Sequence, residues 1–256
     1  MFKLCSFSGG RSSGLMTFLF SLFHLDTHSE IVFCNTGFEH ESTLLFVHQF
    51  TSLLNIPITW LEYAGSQEPF KIVSYETCSK KGEPFKILCE YRKMLPNRVA
   101  RFCTQDLKIR CVKKYLVSKG IDRYESYLGI RYDEQARWAR LINAPIKDIF
   151  SYNMPLYDMG ITQKDVIDFW NDAPFNLKID SSLGNCTMCF LKGKGNLLKA
   201  MKLPNNHFNE FNNLEKSFNA TFSNRYSLED LHTLGNKQQS LFKYDFQDIQ
   251  CSCTDD

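Results

Sequence analysis

Two groups of residues in this chain have the types and spacing for chemistry. The first is the turn Ser6-Phe7-Ser8-Gly9-Gly10-Arg11-Ser12-Ser13-Gly14, placed between the apolar run 2–7 and the apolar run that starts at Leu15. An apolar strand, a Gly/Ser turn and an apolar helix in that order form a phosphate cradle. Glycines permit unusual backbone angles, successive N–H groups converge on an anion, and a helix N-terminus adds partial positive charge.

The second group is made of cysteines. Cys186-Thr187-Met188-Cys189 has the C-x-x-C spacing that turns two thiolates toward one centre, and Gly184 and Asn185 before it suit a tight turn. Cys103, in Arg101-Phe102-Cys103-Thr104, and the tail Cys251-Ser252-Cys253 offer the ligands that complete a tetrahedral site or an iron–sulfur cluster. An iron–sulfur centre is the expectation and zinc the alternative. A redox dithiol at Cys186 and Cys189 lacks a thioredoxin-like setting. Cys5, Cys34, Cys78, Cys89 and Cys111 are expected as small core residues. Lys192, Lys194, Lys199 and Lys202 follow the C-x-x-C and are expected on a solvated helix face, contact with the thiolates or an anionic substrate being the other reading.

Around these groups the composition is that of a globular chain. With 256 residues, 43% hydrophobic and 23% charged, it can bury one sizeable core, or a larger domain with a smaller appendage. Ten cysteines in a chain of this length favour a reducing cytoplasm over a disulfide framework. The apolar stretch 15–25 is too short for a membrane span and lacks a signal-peptide cleavage site. A net charge of +2 conceals an asymmetry: residues 71–119 hold thirteen Lys and Arg against four Asp and Glu, a local balance of +9. Such a block suits a polyanionic partner such as nucleic acid, or equally a solvated helix surface.

The elements that must position these residues alternate. Strand patterns at 2–7, 31–34, 58–61 and 127–130 are separated by helical patterns to about residue 24, at 41–54 and at 106–119. This predicts an α/β fold, a doubly wound and mainly parallel sheet, with ligands at the carboxyl ends of the strands. After Pro155 the texture changes to a capped helix from Thr162 and helical patterns near Leu197 and Leu228. Two domains are expected: an α/β nucleotide-binding domain at 1–158 and a smaller helical, cysteine-bearing region at 159–256.

The turn departs from the Walker A motif, because Leu15 stands where Lys followed by Ser or Thr is required. Ser8-Gly9-Gly10-x-Ser12 instead resembles the loop of the ATP pyrophosphatase (PP-loop) superfamily. Together with Cys34-Asn35-Thr36-Gly37-Phe38-Glu39, Arg101 to Thr104, Gly129-Ile130-Arg131-Tyr132-Asp133-Glu134 with Arg137, and the helix after Ile161, the chain is similar to the phosphoadenosine phosphosulfate reductase family over most of residues 2–200. The resemblance implies an adenine-nucleotide α-hydrolase-like fold. It implies that Ser8, Gly9, Gly10, Arg11, Ser12 and Ser13 surround nucleotide phosphates, that Asn35, Thr36 and Gly37 lie beside the nucleotide, and that Arg131 and Arg137 face its phosphate or sulfate end.

The Glu-Cys-Gly-Leu-His nucleophile motif of the reductases is absent, and so is the adjacent Cys-Cys pair of the cluster-bearing adenylyl-sulfate reductases. The first expectation is therefore an ATP-dependent enzyme that uses Mg²⁺, adenylates a substrate with release of pyrophosphate, and transfers sulfur with help from the cysteine-bound centre. Ser8, Arg11, Ser12 and Cys253 are its candidate catalytic residues, and Cys103, Cys186, Cys189, Cys251 and Cys253 its candidate metal ligands. Its expected partners are an adenine nucleotide, a nucleic-acid substrate on the 71–119 block and a sulfur-donor protein, with no membrane. Two alternatives stay open: a sulfonucleotide reductase in which Cys251 or Cys253 supplies the nucleophile, and a non-catalytic nucleotide- or nucleic-acid-binding module with a structural metal.

Overall fold

The computed structural model describes residues 1–143, 149–184 and 186–237. The chain runs β1 (Phe2–Ser6), α1 (Arg11–Phe23), β2 (Ser29–Cys34), α2 (Glu41–Leu54), β3 (Thr59–Glu62), β4 (Lys71–Val73) and α3 (Glu83–Arg92). It continues through α4 (Phe102–Thr104), a π-helical turn (Gln105–Ile109), α5 (Arg110–Ser118), β5 (Tyr124–Tyr127), α6 (Gln135–Ile142), β6 (Ile149–Asn153) and α7 (Pro155–Asp158). The remainder is helical: α8 (Gln163–Asp172), a 3₁₀ turn (Ser181–Leu183), α9 (Lys194–Met201), α10 (Phe208–Phe218) and α11 (Leu228–Lys237).

The six strands form one sheet in the order β4-β3-β2-β1-β5-β6, parallel throughout except for the antiparallel edge pair β3–β4. The fold is thus α/β with a mainly parallel sheet. Side chains alternate across a strand, and β1 shows the consequence: Cys5 enters the core beneath α1 and α2, whereas Leu4 enters the core beneath α5. The first core is aromatic, with Phe7, Phe33, Phe46, Phe50 and Trp170 in edge-to-face contacts. From β1 the chain steps outward to β2 and β3, then returns to the other side of β1 as β5. That reversal opens a crevice at the carboxyl ends of β1 and β5, where ligands of such sheets bind.

Three local differences from the sequence patterns have physical causes. The strand expected at 127–130 lies at Tyr124–Tyr127, because at Gly129 the chain already passes the backbone of the first turn: a Cβ there would meet Ser13 Cα at 2.7 Å and Ser13 N at 2.9 Å. β4 escapes the pattern because it is a three-residue edge strand with Ile72 exposed. β6 pairs with β5 across a register shift near Tyr124, which no local periodicity reveals.

The division expected at 158/159 cuts through shared cores. Val166 and Trp170 of α8 belong to the core under α1 and α2, and Trp170 Nε1 donates to Arg11 O at 2.8 Å. Phe38 and α3 share a second core with Met188, Phe190 and the helices α9, α10 and α11. Among the described residues, no helix is long and apolar enough to cross a membrane.

Candidate functional site

The turn after β1 folds around one hydroxyl. Ser13 Oγ donates to Gly10 O (3.0 Å), accepts from Gly10 N (3.2 Å) and Ser8 N (3.3 Å), and lies 2.9 Å from Ser8 Oγ. Gly9 has φ +79°, and a Cβ there would meet Thr43 Cγ2 at 2.6 Å, so both conformation and space call for glycine. α1 starts at Arg11 with no side-chain cap hydrogen bond, leaving the first-turn amides and the helix dipole to act on an anion.

The turn after β5 brings the second half of the site. Arg131 Nη1 donates to Ser12 Oγ at 2.9 Å, and Glu134 stands between two guanidinium groups, 3.4 Å from Arg131 and 2.8 Å from Arg137. Arg131 is also paired with Asp133 at 2.9 Å. The carboxylates hold both arginines in place at the crevice wall. Ser8, Gly10, Arg11, Ser12, Ser13, Arg131 and Arg137 all line one cleft of about 920 Å³, which Gln163 and Ser181 close from the helical side.

Arg11 lies at the cleft, but its guanidinium is committed elsewhere. It donates to Asn176 Oδ1 (2.8 Å), Ile179 O (2.9 Å), Ser181 Oγ (3.0 Å) and Leu177 O. The side chain straps segment 176–181 over the start of α1.

Asn35, Thr36 and Gly37, expected beside the nucleotide, form the turn after β2. Asn35 is fully buried; its Nδ2 donates to Glu62 Oε1 (2.6 Å) and Ser79 O (2.8 Å), and its Oδ1 accepts from Gly37 N (3.0 Å). It holds the turn after β2. Thr36 donates from N and Oγ1 to the Glu39 carboxylate, with Oγ1 3.1 Å from Cys186 Sγ. Thr36 therefore faces the cysteines, and none of these three residues lines the cleft between the β1 and β5 turns.

Cys103, Cys186 and Cys189 come together although 83 residues separate the first from the second. They line one small cavity with Thr36, Thr104 and Lys108. The C-x-x-C turn is held from outside, by Thr187 N on Phe38 O (2.9 Å) and a bridge between Glu39 and Cys186. Burial, followed by the neighbouring Cys189, pushes the Cys103 thiol up to about 11. Burial and then the Glu39 carboxylate push Cys186 well above the ordinary thiol value, and Lys108 pulls it down. Among the described residues, no group of three His, Cys, Asp or Glu side chains is arranged to hold a metal ion. Three thiols wall one cavity, and cysteine thiolates are the donor type that iron–sulfur clusters take. Cys251 and Cys253 lie outside the described residues.

Between cleft and thiols lies a third space of about 870 Å³, walled by apolar Leu4, Val32, Val112 and Leu128. It shares Ser6, Ser8 and Leu128 with the cleft, and Thr104 and Lys108 with the thiol cavity. Sequence reasoning missed this middle space, because its walls come from β1, β2, β5 and the π-helical turn and carry no polar pattern.

Of the five expected core cysteines, Cys5, Cys78, Cys89 and Cys111 are buried, while Cys34 is partly exposed in the middle space. Lys192 corrects the expectation of a solvated helix face: it is fully buried. Its Nζ donates to Gly184 O (2.9 Å) and Cys186 O (2.5 Å). Within the cationic block 71–119, Lys71 pairs with Glu62, Arg92 and Arg110 with Asp106, and Lys119 with Glu30.

No protein-family model matches the chain. A protein of Escherichia phage lambda, the uncharacterized nin region protein ORF290, is 30% identical over 203 residues, which cover 75% of this chain and 67% of the phage protein. With that identity over two thirds of the phage protein, the chain belongs to the family of the nin region protein ORF290.

Proposed function

We propose that the protein is a PP-loop enzyme of the phosphoadenosine phosphosulfate reductase type that binds ATP or a related adenine nucleotide and adenylates an acceptor oxygen, which sulfide-level sulfur from a donor protein then replaces as AMP leaves. The observation that carries this reading is that three neighbouring spaces share wall residues: an arginine-braced cleft, an apolar pocket, and a cavity walled by three thiols. Phosphates would rest on the α1 N-terminus between Ser8, Gly10, Ser12 and Arg131, and the base in the apolar pocket. The acceptor oxygen would attack the α-phosphorus, with pyrophosphate leaving toward Arg131 and Arg137. Fixed donors that meet developing negative charge supply the rate enhancement in such a site.

Glu134 is the one carboxylate among the described residues that line the cleft, and it already serves two arginines. Ligands for Mg²⁺ would accordingly come from the phosphates and water. Cys103, Cys186 and Cys189 would hold an iron–sulfur centre, with zinc as the alternative. When bound, such a centre supplies a site for sulfur to be held and handed on. The basic face of α5, within the cationic block 71–119, would carry a nucleic-acid acceptor.

Anaerobic purification with iron, zinc and acid-labile sulfide analysis, followed by assays for pyrophosphate release from ATP and for sulfite release from a sulfonucleotide, tests the reading. ATP-dependent pyrophosphate release by protein that contains iron and sulfide supports it. Sulfite release assigns the reductase instead. Zinc without sulfide removes the sulfur-transfer step, and nucleotide binding without turnover leaves a binding module.

A further inference from the structure

Lys192 is an anomaly in the core of the helical region. Lysine is almost never fully buried unless paired, yet Nζ has two backbone carbonyls as its partners, and no carboxylate among the described residues forms an ion pair with it. An ammonium has three protons to donate, and carbonyl dipoles alone leave the charge in a low-dielectric setting without a counterion. The two carbonyls are those of Gly184 and Cys186, which flank the start of the C-x-x-C turn. Lys192 N donates in addition to Cys189 O at 3.0 Å. The same side chain therefore spans the turn that carries two of the three thiols.

Thiolates, by contrast, bring negative charge into the same core, where the Glu39 carboxylate already opposes them. Lys108 is one cation facing them, from the cavity wall. The second cation, Lys192, lies behind the turn.

We propose that Lys192 is a positioning residue for the metal centre: its Nζ fixes the Cys186–Cys189 turn through two carbonyls and sets a cationic side chain behind the thiolates that hold the centre. This rests on the reading that Cys103, Cys186 and Cys189 bind a metal centre. It makes the buried charge and the thiolates mutually dependent, each costly without the other.

The test compares wild type with Lys192→Arg and Lys192→Gln, all purified anaerobically. Gln keeps a donor for the carbonyls and removes the charge; Arg keeps both. Release of metal to a chelator is expected to be at least ~10-fold faster in Lys192→Gln, the scale at which residues behind a metal ligand act, and Lys192→Arg should lie close to wild type. If the centre is iron–sulfur, its midpoint potential moves to more negative values in Lys192→Gln alone. Wild type with metal and a Lys192→Gln variant unchanged in release overturns the proposal and leaves the metal reading intact, as do equal defects in both variants. Wild type that carries no metal overturns the metal reading and the proposal with it. Should neither variant fold, hydrogen exchange on the wild type decides: stripping the metal should speed exchange at 186–192 about 10-fold or more as the turn loosens, and unchanged protection there overturns the proposal.

Discussion

Arg131 Nη1 donates to Ser12 Oγ at 2.9 Å, joining the turn after β5 to the turn after β1 across the point where the strand order reverses. The bond ties the two halves of the cleft together before any ligand arrives. Arg131 is itself braced by Asp133 and Glu134, so the guanidinium is pre-oriented rather than recruited.

Replacing Arg131 with Ala should weaken nucleotide binding by about 1.5–3 kcal/mol, roughly tenfold to a hundredfold, the worth of a hydrogen bond to a charged group. Isothermal titration with a non-hydrolysable ATP analogue measures this. Affinity within twofold of wild type would remove Arg131 from the phosphate site.

Gly129→Ala tests the close approach of the two turns. Its Cβ would fall 2.7 Å from Ser13 Cα and 2.9 Å from Ser13 N, atoms of backbone that cannot swing aside. A loss of about 1–3 kcal/mol in unfolding free energy is expected, as for overpacking elsewhere, with nucleotide affinity reduced in parallel because Ser12 and Ser13 are displaced. Urea denaturation with and without the analogue provides both readings.

Arg11→Met separates strap from ligand contact. The variant loses the guanidinium's bonds to Asn176, Leu177, Ile179 and Ser181 while the backbone of the turn stays. Stability should fall by about 2–3 kcal/mol, the penalty for leaving buried acceptors unpaired, and affinity for the analogue should fall less than in Arg131→Ala. The reverse order would place the Arg11 guanidinium on the phosphates.

Asp180 offers a pH signature. Hydrogen bonds from the Ser182 hydroxyl and then the Ser182 amide hold its carboxyl below the ordinary value of 3.8. The folded-state value being the lower one, its stabilisation is fully present above the unfolded value and is lost as the pH falls through the folded one. Asp180→Ala should therefore lower stability at pH 7 by about 0.5–1 kcal/mol, the low end for a capping side chain because the residue is exposed. The gap from wild type should close as the pH falls below the ordinary value of 3.8 and through the lower folded-state one. Thermal melts across that range decide, and a gap independent of pH would assign the effect to packing.

Much of this was legible in the sequence. The alternation of apolar strand and helix patterns marked an α/β sheet with ligand-bearing turns at strand ends, since burial on both faces imposes continuous apolar runs. The Ser8 to Ser13 turn announced itself because a φ of +79° at Gly9 and the uncapped start of α1 are demands on local residue type. The C-x-x-C spacing likewise places two thiols together by short-range geometry alone.

Tertiary structure decided what spans distance. It sent the Arg11 guanidinium to segment 176–181, turned Asn35 inward onto Glu62, brought Cys103 to Cys186 and Cys189, and buried Lys192. A side chain that can be satisfied by either solvent or a remote partner has no fixed role in the sequence. Only packing, such as that of α3 and the π-helical turn against the C-terminal helices, removes the water and leaves one set of partners.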